Sequence, residues 1–149
     1  MSILAINKRA HYDYSILDKY EAGLVLAGQE VKSIKTGHVS LKESFVTIRG
    51  SELYLTNAHI PPYKHAGNIP NYDPTRPRKL LLKKSEIKYL TGKVRTLGLT
   101  LVPIKLYTKR RIIKLEFGVG KGKKEYDKRD KIKKREDERG MRRALRNDQ

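Results

Sequence analysis

Apolar and polar residues alternate in three parts of the chain, and this alternation predicts β-strands. Residues 11–28 carry β-branched and aromatic side chains and predict a hairpin that turns near Asp18–Lys19. Residues 44–60 predict a second hairpin that turns at Gly50–Ser51, and residues 99–120 predict a third. The side chains expected to face the core from its final strand are Ile113, Leu115 and Phe117.

Apolar residues recur at helical spacing in two short segments between the predicted strands. The first helix, over residues 28–36, should end before Gly37. The second, over residues 85–97, begins at Ser85, a residue type that caps helices well, and stops before Gly98. Short strands with small helices between them predict a mainly β fold, namely a closed antiparallel β-barrel.

The segment between these elements, residues 61–78, holds five of the six prolines in the chain. Because it has little periodicity, we expect a loop, and a loop of this length is usually functional or mobile. Aromatic residues lie beside basic ones in PPYKH here, and also in HYDYSILDKY and EYDKR. Planar rings beside cations suit the binding of RNA bases. For most of the nine tyrosines, an ordinary place in a strand or the core is the simpler interpretation.

The last part of the chain, residues 121–149, cannot form a core of its own. It holds 13 Lys or Arg, seven Asp or Glu and only five apolar residues. Acid-first pairs at i,i+4 spacing, such as Asp127 with Lys131 and Glu138 with Arg142, favour a helix by a few tenths of a kcal/mol each. We therefore predict a folded domain over residues 1–120 and a basic tail that is disordered when free and helical when bound.

Charge indicates the kind of partner. The formal net charge is +18, and residues 1–120 keep 21 − 9 = +12 of it. A basic folded body together with a basic tail points to a polyanion, most simply a nucleic acid. The chain has no cysteine, and its apolar runs are too short for a signal peptide or a membrane span. We expect a cytoplasmic protein without a membrane partner.

A search for catalytic or metal-binding motifs gives no candidate. The four histidines do not stand at zinc-binding spacing. The stretch GVGKGKK lacks the spacing of a phosphate-binding loop and has no Ser or Thr after Lys123. We expect no metal, no cofactor, no small-molecule substrate and no enzymatic activity.

Four stretches together resemble one protein family in their order and spacing. They are NKRA at 7–10, EAGLVLAGQEVKS at 21–33, DPTRPRKLLL at 73–82 and GKGKKEYDKR at 120–129. The family is small protein B, the SsrA-binding proteins that partner transfer-messenger RNA in bacterial ribosome rescue. The resemblance covers nearly the whole chain.

The resemblance implies an oligonucleotide-binding-type barrel that binds the transfer-RNA-like domain of transfer-messenger RNA near its elbow. It also implies that the tail enters the empty messenger channel of a stalled ribosome, at the small-subunit decoding centre, and folds there as a helix. The protein would thus be an adaptor of trans-translation, which delivers this RNA for rescue and peptide tagging. Its partners would be transfer-messenger RNA and the ribosome.

The resemblance also indicates candidate site residues. Lys114 should point outward and neutralise phosphate, whereas Glu21 can accept hydrogen bonds from bases or riboses, or can form an ion pair within the barrel. Leu81 lies in an apolar run, so core packing is an alternative for it. The candidate RNA-binding residues of the body are Asn7, Lys8, Arg9, Glu21, Glu30, Lys32, Arg76, Arg78, Lys79, Leu81 and Lys114.

For the tail, the resemblance places a decoding-centre motif directly after the body, with Gly122 as a hinge. Some family members have His where this chain has Tyr126, and Tyr can stack on a base but cannot become cationic near neutral pH. The candidate ribosome-binding residues of the tail are Lys121, Gly122, Lys123, Lys124, Tyr126, Asp127, Lys128 and Arg129.

Two other classes of protein fit the composition. A constitutive ribosomal or general RNA-binding protein could carry the same barrel and charge, and it would copurify with idle ribosomes. An enzyme such as a nuclease would need a cluster of carboxylates or histidines that the sequence does not display.

Overall fold

The computed structural model describes residues 1–67 and 70–123. The chain order of the elements in these ranges is strand, helix, strand, helix, three strands, helix and two strands. Their bounds are β1 (Ser2–Ile6), α1 (Ala10–Asp13), β2 (Tyr14–Leu24), α2 (Gly28–Lys35), β3 (Phe45–Arg49), β4 (Glu52–Thr56), β5 (Arg78–Leu81), α3 (Lys84–Leu97), β6 (Thr100–Lys109) and β7 (Ile112–Gly122).

The strands form one seven-stranded antiparallel sheet in the order β1-β6-β7-β2-β5-β4-β3. A mainly β fold with short helices is therefore confirmed. The prediction that the barrel is closed is wrong, because the edge strands β1 and β3 do not pair with each other through hydrogen bonds in the described part of the chain. An open groove of about 620 Å³ lies instead between α1, the start of β3 and the start of β6.

The first predicted hairpin is also wrong, because residues 14–24 form the single long strand β2. A β-bulge between Ile16 and Asp18 shifts the register against β7 and leaves Leu17 exposed. This bulge interrupts the alternation of apolar residues. Because of that interruption, the sequence resembles two strands joined by a turn. The predicted turn at Asp18–Lys19 lies within the ladder with β7.

The other two hairpins and both predicted helices are present. The β3–β4 turn contains Gly50 with φ +60°, and the helix α3 ends at Gly98 with φ +63°, a conformation that glycine adopts without steric cost. Strand β7 alternates as expected, with Ile113, Leu115 and Phe117 buried.

One main core is formed by buried residues of the strands together with Ile34 of α2 and Ile87 and Leu90 of α3. Its fully buried side chains come from most of the elements, so the body is held by contacts between segments far apart in sequence. Those with no exposed surface are Ile34, Leu53, Leu55, Ala58, Leu80, Leu90, Leu115, Phe117 and Val119.

Candidate nucleic-acid interface

Three of the candidate residues lie on neighbouring strands of one sheet surface. Gly23 of β2 pairs with Leu81 of β5 on one side and with Lys114 of β7 on the other. Glu21 stands two residues earlier on β2 and therefore faces the same side of the sheet as Gly23. The fold thus brings Glu21, Leu81 and Lys114 together, although 93 positions (114 − 21) separate the outer two in the sequence.

Leu81 is 53% exposed, so it is a surface residue rather than part of the core. A large apolar side chain between charged groups gives this surface a contact point for a base or ribose. Lys114 is half-buried and faces outward between the buried Ile113 and Leu115. The outward direction predicted for Lys114 is therefore confirmed.

The carboxylate of Glu21 is held by groups from strand β6. The hydroxyl of Tyr107 donates a hydrogen bond to Glu21 Oε2, and Lys109 Nζ lies 3.5 Å from Oε1. The hydrogen bond from Tyr107 holds the pKa of Glu21 below the ordinary carboxyl value, and Lys109 and Lys114 act in the same direction against the opposing effect of burial. Glu21 is therefore an ionised acceptor that is fixed in place while its side chain stays 37% exposed.

Sequence reasoning missed Tyr107 and Lys109 as members of this surface. Tyr107 is 5% exposed and lies on a strand whose neighbours are buried, so its pattern is that of an ordinary core residue. Burial raises the pKa of Tyr107, and the Glu21 carboxylate raises it further, so the phenol keeps its proton as the donor. We call Glu21, Leu81, Tyr107, Lys109 and Lys114 the Glu21 surface.

A second group of candidates forms the link between β1 and α1. Asn7 connects this link to β6, because its amide N–H donates to Ile104 O at 2.7 Å and its Nδ2 donates to Pro103 O at 2.9 Å. The side chain of Asn7 is thus largely engaged in holding the fold. Lys8 is exposed, and Arg9 forms a two-point ion pair with Asp13 at 3.1 and 3.2 Å.

Asn7 and Arg9 also line the 620 Å³ groove between the two sheet edges. Its other wall is formed by the segment before β3 and the start of β6. Arg9, 65% exposed in its side chain, keeps its guanidinium 4.8 Å from the centre of the Tyr12 ring. Arg9 therefore places a cation at the groove, with the Tyr12 ring beside it.

The candidates Glu30 and Arg78 lie in the interior. Both side chains are 0% exposed, with Arg78 Nε 2.8 Å from Glu30 Oε2. Arg78 also donates to Ala58 O at 2.8 Å, and Arg76 donates to the other oxygen of Glu30. The Tyr72 hydroxyl completes the cluster beside Arg78 at 3.3 Å. This geometry gives Glu30 and Arg78 a structural role and leaves neither side chain a surface for RNA.

The pKa of Glu30 follows from the same contacts. Burial alone would raise it, but hydrogen bonds from Arg76, the Ala27 amide and Arg78 together outweigh burial and hold the pKa below the ordinary carboxyl value. Arg76 remains 37% exposed in its side chain, so it can still reach a phosphate.

Of the remaining body candidates, Lys79 stands two residues before Leu81 on β5 and therefore faces the same side of the sheet. Lys79 forms an ion pair with Glu52 at 3.5 Å on the exposed face of β5. Lys32, on α2, lies 5.7 Å from the centre of the Tyr63 ring.

The start of the predicted tail is part of the fold. Strand β7 continues through Lys121 to Gly122, which pairs with Tyr14 of β2, two residues past the boundary predicted at 120. Lys123 extends this contact, because its amide donates to Asp13 O at 2.9 Å and its Nζ donates to His11 O at 2.8 Å. The remaining tail candidates, Lys124, Tyr126, Asp127, Lys128 and Arg129, lie outside the described residues.

The described residues were also compared with the requirements of a membrane-spanning helix and of a metal site. No helix within residues 1–67 and 70–123 is long and apolar enough to cross a membrane. In the same described ranges, no group of three or more His, Asp or Glu side chains is arranged to hold a metal ion.

Comparisons with known proteins agree with one another. A family model described as SmpB protein matches residues 4–147. The SsrA-binding protein of Carboxydothermus hydrogenoformans is 54% identical over 144 residues, covering 97% of this chain and 96% of the relative. The SsrA-binding protein of Nostoc sp. is 48% identical over 145 residues, covering 97% and 94%.

A solved structure is also similar to this chain. It is described as "tmRNA-SmpB: a journey to the center of the bacterial ribosome", and the matching chain in it is 49% identical in sequence. The match covers 80% of this chain and 84% of the other, with a TM-score of 0.65.

Proposed function

The chain belongs to the SmpB protein family, and from that premise we propose that it is the RNA-binding adaptor of trans-translation. It binds the transfer-RNA-like domain of transfer-messenger RNA and carries it to stalled ribosomes. The names of its relatives, SsrA-binding proteins, and the ribosomal setting of the similar solved structure support this assignment. A cytoplasmic location is expected for a partner of the ribosome.

The observation that carries the proposal is the assembly of the Glu21 surface. Three strands contribute an ionised acceptor at Glu21, an exposed apolar contact at Leu81 and a cation at Lys114. Folded RNA offers complementary groups, namely base and ribose donors, base faces and phosphates. Because these groups are fixed by strand pairing, the surface can recognise an RNA shape rather than only its charge.

We also propose a division of labour along the chain. The body, residues 1–120, binds the RNA, and the tail, residues 121–149, binds the ribosome. The tail is disordered when free and becomes helical in the empty messenger channel, with Asp127, Lys128 and Arg129 near the decoding centre. Support comes from its composition, which is too polar for an independent core but allows acid-first ion pairs along a helix.

The experiment that tests the proposal is sequencing of the RNA that copurifies with the tagged full-length protein from bacterial cells. We expect one dominant species with a transfer-RNA-like domain, enriched in proportion to the protein. Recovery of ribosomal RNA alone, at one protein per idle ribosome, would instead support the constitutive ribosomal protein.

A further inference from the structure

A second cleft lies between α2 and the proline-rich segment that follows β4, on residues that the proposed function does not use. Its volume is about 360 Å³, within the range of about 300–1,000 Å³ typical of small-ligand sites. We call it the Tyr63 cleft. It is lined by Ser33, Thr36, His38, Pro61, Pro62, Tyr63, Lys64 and His65.

The walls of the Tyr63 cleft are fixed by the fold. Ser33, which is 2% exposed, donates its hydroxyl hydrogen to Pro61 O at 2.8 Å and so ties α2 to the opposite wall. The next residue, Pro62, also has a backbone φ restricted by its ring. The strand-like bridge between Ser40 and His59 holds the chain on both sides of the cleft. The cleft is therefore preformed.

The aromatic groups of the cleft are arranged to present ring surfaces. The Tyr63 and His65 rings meet edge to face, with centroids 5.5 Å apart and an interplanar angle of 70°. Tyr63 is half-buried and therefore held in place, whereas His65 is exposed. Unpaired bases stack on rings of this kind irrespective of sequence, because every base has a π-face.

Cations stand beside these rings. Lys32 Nζ lies 5.7 Å from the centre of the Tyr63 ring, and Lys64 is exposed at the mouth of the cleft. None of the described residues that line the cleft is Asp or Glu. A ligand that offers both a planar ring and a negative group matches this combination better than a neutral aromatic ligand does.

The hydrogen bonds of His38 add a polar contact. The Thr36 hydroxyl donates to Ser33 O at 2.8 Å and also lies 2.8 Å from His38 Nδ1, and since it has only one hydrogen, the tautomer that satisfies both contacts carries its hydrogen on Nδ1. In the neutral ring, Nε2 is then an acceptor. An acceptor beside a stacking platform can take a hydrogen bond from a ribose hydroxyl or a base amino group.

We propose that the Tyr63 cleft binds an unpaired RNA nucleotide, with its base on Tyr63 and His65 and its phosphate against Lys32 and Lys64. The cleft shares no residue with the Glu21 surface, so it is a second point of contact with RNA. The inference rests on the proposed function only in taking RNA as the polyanion.

The chain allows a direct test because it contains no tryptophan. Tyr63→Trp places a single indole in the cleft, and stacking of a base on it should quench its fluorescence. Tyr89→Trp is the matched control, since Tyr89 also has a lysine, Lys93, 5.7 Å from its ring centre but lies on α3, outside the cleft. The probes are single-stranded hexaadenylate and hexauridylate, titrated at constant salt.

We expect both probes to quench the indole of the Tyr63→Trp protein saturably and to leave that of the Tyr89→Trp protein little changed. Absence of quenching in the cleft variant, or equal quenching in both variants, would overturn the proposal. Should the Tyr63→Trp chain fail to unfold cooperatively, the unaltered protein can be cross-linked to oligonucleotides that contain 4-thiouridine. Cross-links should then map to residues 61–65, and cross-links found only elsewhere would contradict the proposal that the Tyr63 cleft binds a nucleotide.

An affinity comparison separates this inference from the proposed function. Loss of one stacked base by Tyr63→Leu should weaken oligonucleotide binding by about 5- to 150-fold, whereas Tyr63→Phe should keep near-normal affinity. Binding of the transfer-RNA-like domain through the Glu21 surface is measured on the same proteins. If that binding persists while Tyr63→Leu changes nothing for oligonucleotides, the cleft proposal fails and the proposed function stands.

Discussion

Arg78 and Glu30 form a fully buried ion pair that joins strand β5 to helix α2. The distance from Arg78 Nε to Glu30 Oε2 is 2.8 Å, and neither side chain has any exposed surface. Helix α2 begins at this point because Glu30 also accepts a hydrogen bond from the Ala27 amide at 2.9 Å. One carboxylate thus caps a helix and compensates a buried guanidinium, so its loss affects two elements together.

The first prediction concerns the stability of this pair. Arg78→Met leaves Glu30 buried with its charge poorly compensated, so we expect the free energy of unfolding to fall by about 3–5 kcal/mol. Glu30→Leu combined with Arg78→Met removes both charges and should cost less than Arg78→Met alone. Lys79→Met is the control, because its ion pair with Glu52 is exposed and contributes about 0–1 kcal/mol. Urea unfolding of the three variants and of the unaltered chain measures these differences in the free energy of unfolding.

The same pair should make the protein sensitive to acid. The pKa of Glu30 is lower in the folded chain than the unfolded value of about 4.3. Its contribution to stability is therefore fully present above about pH 4.3 and is lost as pH falls through the folded pKa. In Glu30→Gln the loss of stability below about pH 4.3 should be shallower than in the unaltered chain. Equal slopes in both proteins would contradict this assignment.

The sequence could not reveal this cluster. Glu30 and Arg78 are 48 positions apart, and each stands in a polar stretch that suits an exposed RNA-binding residue. Charged residues are rarely buried, so a surface position was the reasonable expectation for both. Only the packing of β5 against α2 in the folded chain brings the two side chains together. The local periodicity of the sequence does not predict this contact.

The second prediction concerns the hydrogen bond from Tyr107 to Glu21. Tyr107→Phe removes the donor that most lowers the pKa of Glu21, so this pKa should rise toward the ordinary carboxyl value. Stability should fall by about 1 kcal/mol, as for a typical hydrogen bond. Carboxyl-carbon NMR titration measures the pKa, and binding of the transfer-RNA-like domain should weaken in parallel. An unchanged pKa for Glu21 would show that the hydrogen bond is absent in solution.

The third prediction concerns the turn between β6 and β7. Arg110 and Arg111 both have positive φ, 52° and 68°, in a two-residue hairpin turn that favours Asn-Gly. Since such a backbone costs a non-glycine residue roughly 1–2 kcal/mol, Arg110→Asn combined with Arg111→Gly should stabilise the protein by about 1–2 kcal/mol. The turn follows Lys109 of the Glu21 surface, so RNA affinity should fall as two charges are lost. Thermal unfolding and RNA titration measure the two effects, and a fall in stability would contradict the prediction.

The fourth prediction concerns Lys114 and salt. Lys114→Glu should weaken binding of the transfer-RNA-like domain and leave the circular dichroism spectrum unchanged, because a half-exposed strand residue contributes little to packing. Each lost phosphate contact should reduce the slope of log affinity against log salt by about 0.7 to 0.9. Lys88→Glu on α3 has the same charge change outside the Glu21 surface and should alter the slope less. An affinity independent of salt in the unaltered protein would rule out phosphate contacts.

The hairpins at Gly50–Ser51 and at the β6–β7 turn could be predicted because β4 and the first half of β7, which follow the two turns, alternate regularly between buried and more exposed residues. Strand β2 could not, since the bulge between Ile16 and Asp18 moves Leu17 out of phase. Strand β1 was not predicted at all, because its five residues at an edge carry no clear alternation, with Ile3 and Ile6 both exposed.

Within the Glu21 surface, the family resemblance was enough to predict the motif residues Glu21, Leu81 and Lys114. Tyr107 and Lys109 could be assigned to this surface only from the register of β6 in the structure.

The last prediction separates the tail from the body. Removal of residues 130–149 should leave binding to transfer-messenger RNA largely intact, because residues 1–120 hold +12 of the net charge of +18. Peptide tagging on ribosomes stalled without a stop codon should nevertheless fail, because nothing would then fill the messenger channel. Alanine at Asp127, Lys128 and Arg129 together should have the same effect. Loss of RNA binding on truncation would contradict the division of labour.

Arg139→Pro distinguishes an induced helix from a simple cationic tail. Proline costs about 3 kcal/mol in a helix interior, whereas the change removes only one charge. If the tail must be helical on the ribosome, Arg139→Pro should reduce tagging as strongly as truncation does. Arg139→Gln is the control, since it removes the same charge but favours a helix, and it should tag nearly normally. Because both variants bind RNA through an unaltered body, a difference between them in tagging reports on the conformation of the tail, and normal tagging by Arg139→Pro would exclude the induced helix.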